Sequence, residues 1–359
     1  MFFFYKARIV TFHNPMLGAV LATALLAAST HAAPFLDPLD VPAHLSPLAS
    51  KSLVQAIARA GTKLVAVGPR GHVIVSADDG KTWRQSPVPV SSDLTSVFFV
   101  DERNGWAVGH DGVILATTDG GAAWSLQLDG ARANRAIVDD LARKPGAADL
   151  LAEANRNVAQ GADKPFLDVW FADASVGYVV GAYNYIFHTT DGGRTWKPWF
   201  DRTDNPKYLN LYAIRPAAGG LFIVGEAGLV LRLDATAQRF RAVDVPYRGT
   251  LLGVAGDERV ALVFGLRGHA FRSDDAGRTW AAVDARLPST IVGGASLPDG
   301  GFVLADASGR VSVSRDAART FAPVALPVTM MLTGIAAGGA GSVALAGGRG
   351  VVLAPIAAR

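Results

Sequence analysis

The chain has 359 residues, half of them apolar and 18% charged, with 39 glycines and no cysteine. This composition excludes a disordered polymer, a disulfide-built fold and an anchor on a lipidated N-terminal cysteine. The formal charge of +3 falls to +1 once Lys6 and Arg8 are set aside, so there is no basic excess of the kind that nucleic acid demands.

In chain order, residues 1–32 read as a secretory signal peptide. Lys6 and Arg8 form its positive end, Met16 to Ala28 its apolar stretch, and Thr30-His31-Ala32 a small-residue cleavage site. The apolar stretch is too short to span a bilayer comfortably. The mature chain, 33–359, is therefore expected to be exported without an integral membrane segment, and to reside in the periplasm.

Beyond residue 50 a short phrase recurs. Ser76-Ala77-Asp78-Asp79-Gly80-Lys81-Thr82-Trp83 returns at Thr117–Trp124, Thr189–Trp196 and Ser273–Trp280, more weakly at Ser314–Phe321, and in eroded form at Leu233-Asp234 to Phe240. The closing aromatics stand at 83, 124, 196, 240, 280 and 321, so one step of 72 interrupts steps of 40 to 44. A β-type unit repeated at that period predicts a propeller.

Residues 94–127 show the unit most clearly, with four short runs rich in β-branched and aromatic residues separated by Gly/Asp/Asn turns: a four-stranded antiparallel meander. The template places seven blades at 51–91, 94–130, 166–206, 207–249, 250–289, 290–327 and 330–359. The last has three evident strands, and segment 34–50 is expected to supply its outer strand and close the ring. The long step is an insertion at 131–165. Ile137, Val138 and Leu141 predict one amphipathic helix, Pro145-Gly146 a break, and Leu150, Leu151, Ala154 and Val158 a second.

The repeated phrase has a structural task. Gly80, Gly121, Gly193 and Gly277 supply positive φ in the turn between strands three and four, the Asp accepts backbone N–H groups, and the Trp packs over the hairpin. A calcium loop needs more acidic ligands, at a spacing absent here.

Ser/Thr-x-Asp-x-Gly-x-Thr-Trp resembles the Asp-box, or BNR repeat, of sialidases and other propellers. With Val108-Gly109-His110-Asp111-Gly112-Val113-Ile114 ahead of Asp119 and the leader, the chain resembles the photosystem II stability/assembly factor-like family. The resemblance covers the mature chain apart from the insertion. It implies a non-enzymatic seven-bladed scaffold that binds partner proteins, subunits of a membrane complex, during assembly.

In such a meander, turns one–two and three–four share one face, and turns two–three share the other with the blade connections. The two–three tips then carry Arg70, His110, Tyr183, Asn184, Glu226, Arg267 and Arg349, with Trp199, Tyr247 and Arg248 on nearby connections and the insertion on the same side. Arginine forks suit an acidic partner, and Tyr, Trp and Arg are common interface anchors. The plainer reading is a set of solvated hairpin tips.

A sialidase-like glycosidase is the rival. Its Arg-Ile-Pro motif has no counterpart, since Ile214-Arg215-Pro216 is inverted and lies in a middle blade. Asp111 and Glu226, carboxylates of different blades, have no reason to meet as hydrolysis requires. His44, His72, His110, His188 and His269 lack ligand spacing, and neither nucleophile elbow nor phosphate loop occurs. The expectation is a protein-binding scaffold with no catalytic residue, metal or cofactor. A lectin-like glycan binder using Trp199 and Tyr183 is the remaining alternative.

Overall fold

Short β-branched runs between Gly- and Asp-rich turns cannot bury their apolar faces singly, and here they stack in a ring. The computed structural model describes residues 36–326, 329–339 and 341–356. Within them lie seven antiparallel sheets, six of four strands and a last one of three, each meandering in strict sequence order. The first sheet comprises Ala56–Ala60, Lys63–Val67, Val73–Ser76 and Arg84–Gln85; the last comprises Leu332–Ala337, Ser342–Gly347 and Gly350–Pro355. The innermost strands of successive blades pack on one another, and those of blades seven and one complete the circle. The second strands are buried throughout, as in Gly105–Gly109 and Ala261–Gly265, because neighbouring sheets cover both of their faces.

The Asp-box is a hydrogen-bonded cap. In blade 3 the Thr189 hydroxyl accepts from the Gly193 amide, while Asp191 accepts from the Thr195 amide and hydroxyl. In blade 5 the Trp280 indole N–H donates to the Gly277 carbonyl. Gly193 and Gly277 have φ of +84° and +81°. A Cβ on Gly277 would stand 2.7 Å from the Phe222 ring of blade 4, so the cap is pressed onto the preceding blade. Blade 6 makes the same turn with Ala317 and Ala318, both at φ 59°, at a local cost in strain.

Two helices form the insertion, α1 (Gly130–Leu141) and α2 (Ala148–Gln160). Asp129 caps α1 by accepting from the Arg132 amide. Buried Asn134 of α1 receives the Tyr185 hydroxyl of blade 3 at 2.6 Å and donates to the carbonyls of Asn157 and Gly161. Lys144 adds an ion pair to Asp201. The pair of helices is thus bolted to the propeller.

The ring does not close by the expected strand. Residues 37–51 form no strand; they run along the outer edge of blade 1. There the Ala43 amide donates to the Val88 carbonyl, the Ser46 amide to Gln85 Oε1, and Ala43 enters the core between blades 1 and 2. A 3-10 turn at Ala49–Lys51 then crosses to the last strand of blade 7. Prolines at 38, 42 and 47 account for this, since proline cannot donate to a ladder. The blade 7–blade 1 seam is held by Val54 N–H to Gly347 O, Thr333 hydroxyl to Val54 O, and Arg59 Nε to Ala337 O. The expected leader lies outside the described residues. Among the described residues no helix is long and apolar enough to cross a membrane.

Candidate partner-binding face

In blades 1 to 5 the two–three turns share one design. A glycine in extended conformation ends the second strand, and the tip that follows places consecutive residues at positive φ: Arg70-Gly71, Asp111-Gly112, Tyr183-Asn184, Ala227-Gly228 and Arg267-Gly268. Each tip lies tight against the next connection; a Cβ on Gly71 would stand 2.2 Å from the Val90 carbonyl and one on Gly228 2.1 Å from that of Tyr247. The chain reaching the next blade also caps the strained residue: the Arg70 amide donates to Asp93 Oδ1, and the Tyr183 amide to Asn210 Oδ1. Left-handed backbone at arginine and tyrosine costs about 1 kcal/mol or more, and these contacts hold it in place.

Of the residues predicted for this face, Arg70, His110, Arg267 and Arg349 are exposed, and Tyr183 is 65% exposed. Glu226 is partly buried and accepts from the Asn210 amide and side chain; the same Asn210 caps Tyr183, so Glu226 and Tyr183 share a support. Tyr247 lies over His269 at 4.8 Å, its hydroxyl donating to Leu266 O, and burial raises its pKa. Arg248 remains largely exposed, holding the Val245 and Tyr247 carbonyls.

Two expected contributors turn inward. Trp199 is 7% exposed, packed on Tyr178 and His188 with Arg202 above its ring. The 3-10 turn Phe200–Arg202 folds the connection back and carries the indole into the blade 3–blade 4 core. Asn184 is 2% exposed and takes the place that glycine fills in sister tips; its side chain donates to Phe200 O and accepts from Thr203 and Asn205. Both shape the face from beneath, and a glycan-stacking Trp199 is ruled out.

Beside Tyr183 the insertion forms a cleft of about 370 Å3, walled by Ile137, Leu141, Leu150 and Ala154 of the helices and by Phe200 and Tyr208 of the propeller. Tyr208 is 43% and Leu150 37% exposed, so apolar surface continues from the tip into the cleft.

Sequence reading missed the central channel. Asp168 of blade 3, 4% exposed, accepts from the Ser96 hydroxyl of blade 2 and from the Ile214 amide and Arg215 guanidinium of blade 4. Arg215 also lies 5.6 Å from the Phe98 ring centre. A charged pair on first strands, whose neighbours are otherwise apolar, was the available signal. Bonded across three blades, the pair fixes their register.

The fold and turns define an Asp-box β-propeller with a helical insertion over one face. The sequence profile of the photosynthesis system II assembly factor YCF48 matches residues 42–118, 81–136 and 149–319, more than half of the chain, and the protein belongs to that family. Among curated proteins, the chloroplastic photosystem II stability/assembly factor HCF136 of Cyanidioschyzon merolae is 38% identical over 63 residues, covering 16% of this chain and 14% of that one. The uncharacterized protein YkuO of Bacillus subtilis is 35% identical over 77 residues, covering 21% and 25%. The alignments thus span a quarter or less of either relative.

Among solved structures, YCF48 bound to D1 peptide superposes with a TM-score of 0.63 at 17% identity, covering 91% of this chain and all of that one. YCF48 from Cyanidioschyzon merolae gives 0.61 at 18%, covering 88% and 98%, and a streptogramin B lyase 0.64 at 12%, covering 87% and 95%. At these identities the likeness is one of fold.

Proposed function

We propose that the protein is an exported, non-catalytic scaffold that holds a segment of a partner protein during assembly or stabilisation of a membrane or envelope complex. The face formed by the two–three tips and the insertion is its working surface. One observation carries the choice of face: exposed, left-handed Arg70 and Tyr183 are held by hydrogen bonds from the connection to the following blade, with Arg267 exposed and left-handed in the same position, and strain of this kind clusters at binding sites. The arginines offer forks to an acidic segment, and Tyr183 with the adjoining cleft offers an apolar anchor. Family membership supports the reading, since a solved relative bears the description YCF48 bound to D1 peptide.

Crosslinking in envelope extracts, followed by capture of the tagged protein, tests this. Arg70→Glu combined with Arg349→Glu is expected to fold normally and to lose captured membrane-complex subunits at least tenfold. A folded double variant that captures the same subunits undiminished would refute the choice of face, and turnover of a sialoside by the purified protein would refute the scaffold.

A further inference from the structure

A cleft of about 810 Å3 opens on the Asp-box side, where the one–two turns of blades 4 and 5 meet the shortened three–four turn of blade 4. It lies across the disc from the partner-binding face, and nothing proposed for that face involves it. Arg232 and Arg241 stand side by side in its wall as a directly opposed cross-strand pair. Like charges in that arrangement are mutually destabilising.

Arg241 has one distant counter-charge, Asp234 at 3.9 Å. Arg232 has no hydrogen-bond or ion-pair partner among the described residues, although its Nε is shut off from solvent. Its guanidinium lies against Gly220, where a Cβ would stand 2.7 Å from Nε, so the missing side chain makes room for the fork.

Blade 5 shows what this position does when it is structural. Arg272 occupies the same register, opposite Leu262 as Arg232 is opposite Phe222. Its Nε donates to Ala317 O of the next cap at 2.7 Å and its Nη1 to Asp274. Arg232 has neither bond and looks into the cleft. A donor left without an acceptor is destabilising, and a ligand supplying the acceptor relieves this.

We infer that this cleft is a second binding site, for a carboxylate attached to an apolar body. Arg232 would take the carboxylate through its fork, with Arg241 adding charge, while Pro216, Leu221 and Val243 receive the apolar part. Asp234, Asp257 and Glu258 at the margin select a single negative charge over the double charge of a phosphate. A free organic acid and an acidic side chain of a peptide share this chemistry.

The test titrates the full chain with benzoate, with the amide-capped peptide Leu-Glu-Leu and with inorganic phosphate, following the heat of binding in every variant and, where Arg232 is present, its side-chain Nε–H resonance. Saturable movement of that resonance by benzoate or peptide is expected, with binding at least tenfold weaker in Arg232→Met and less weakened in Arg232→Lys. Arg241→Gln, which leaves Arg232 in place, is expected to weaken it about threefold. Tighter binding of benzoate would assign the site to small acids, and of the peptide to a protein segment. An unmoved resonance with both probes, undiminished binding by Arg232→Met, or preference for phosphate would overturn the inference. None of these outcomes bears on capture through Arg70 and Arg349.

Discussion

Blades 4 and 5 are neighbours built on one template, and they differ most in the turn between strands three and four. In blade 5 the ladder stops at Arg272–Ala281, and the residues between form a complete cap: Ser273 and Asp275 gather backbone amides while Trp280 locks onto Gly277. In blade 4 the ladder continues to Asp234–Arg239, leaving a four-residue loop in which Asp234 accepts from the Thr236 and Ala237 amides. Phe240 has become an ordinary core residue opposite Leu233. The Asp-box is therefore dispensable to a blade, and its loss frees nearby surface. Where it is complete, arginine at the adjoining position is consumed in structure; where it has eroded, the arginine is unemployed.

The contrast can be broken by mutation. The largest effect is expected from Trp280→Ala, which empties the space between Gly277 and Phe222 and should lower unfolding free energy by about 4 kcal/mol. Thr236→Ala in the blade 4 loop should stay within about 0.5 kcal/mol. Denaturant titration measures both, and equal losses would mean that the two turns carry equal load.

Blade 3 extends the comparison, because His188 fills the register of Arg232 and Arg272, opposite Tyr178. It is buried against Tyr178 and Trp199, and burial, aided by Lys197 and Arg202, lowers its pKa to about 4. Between that value and 6.5 the unfolded chain binds the extra proton. This contribution to stability is therefore complete above pH 6.5 and declines as the pH falls towards 4, by about 3 kcal/mol. In His188→Gln that part of the acid slope should vanish; an unchanged slope would place the imidazole in contact with water.

A smaller effect separates the arginines. Arg272→Met loses a partly buried bond to Ala317 O and an exposed one to Asp274 and is expected to cost about 1–2 kcal/mol, whereas Arg232→Met, with no bond to lose, should be neutral or slightly stabilising. Equal costs would show that Arg232 is paired in solution.

Spacing made the architecture legible. Trp83, Trp124, Trp196 and Trp280 reported the repeat because their turns need aspartate and glycine at fixed offsets, and Leu141, Ala154 and the Pro145-Gly146 break reported the helices. The face was legible as a set of tips, since topology alone sorts turns between two sides. What sequence could not give was the direction of individual side chains. Trp199 looks like an exposed anchor until Phe200–Arg202 turns it inward, and Asn184 looks like a polar tip until its amide proves to be a brace. Segment 34–50 was expected to close the ring because the demand for a closing strand outweighed its prolines. Arg232 is distinguished only by a bond it lacks, which no sequence records.

The outer-edge course of residues 37–51 has a mechanical consequence. A ring fastened by a strand shared between its ends is loaded in shear, with a whole ladder of bonds resisting together. Here tension on the amino end meets isolated fastenings, Pro38 to Ser91, then Ala43 to Val88 and Ser46 to Gln85, before any sheet is loaded. The tail can be drawn off like a strap from its buckles while the blade 7–blade 1 seam stays shut through Val54, Arg59 and Thr333.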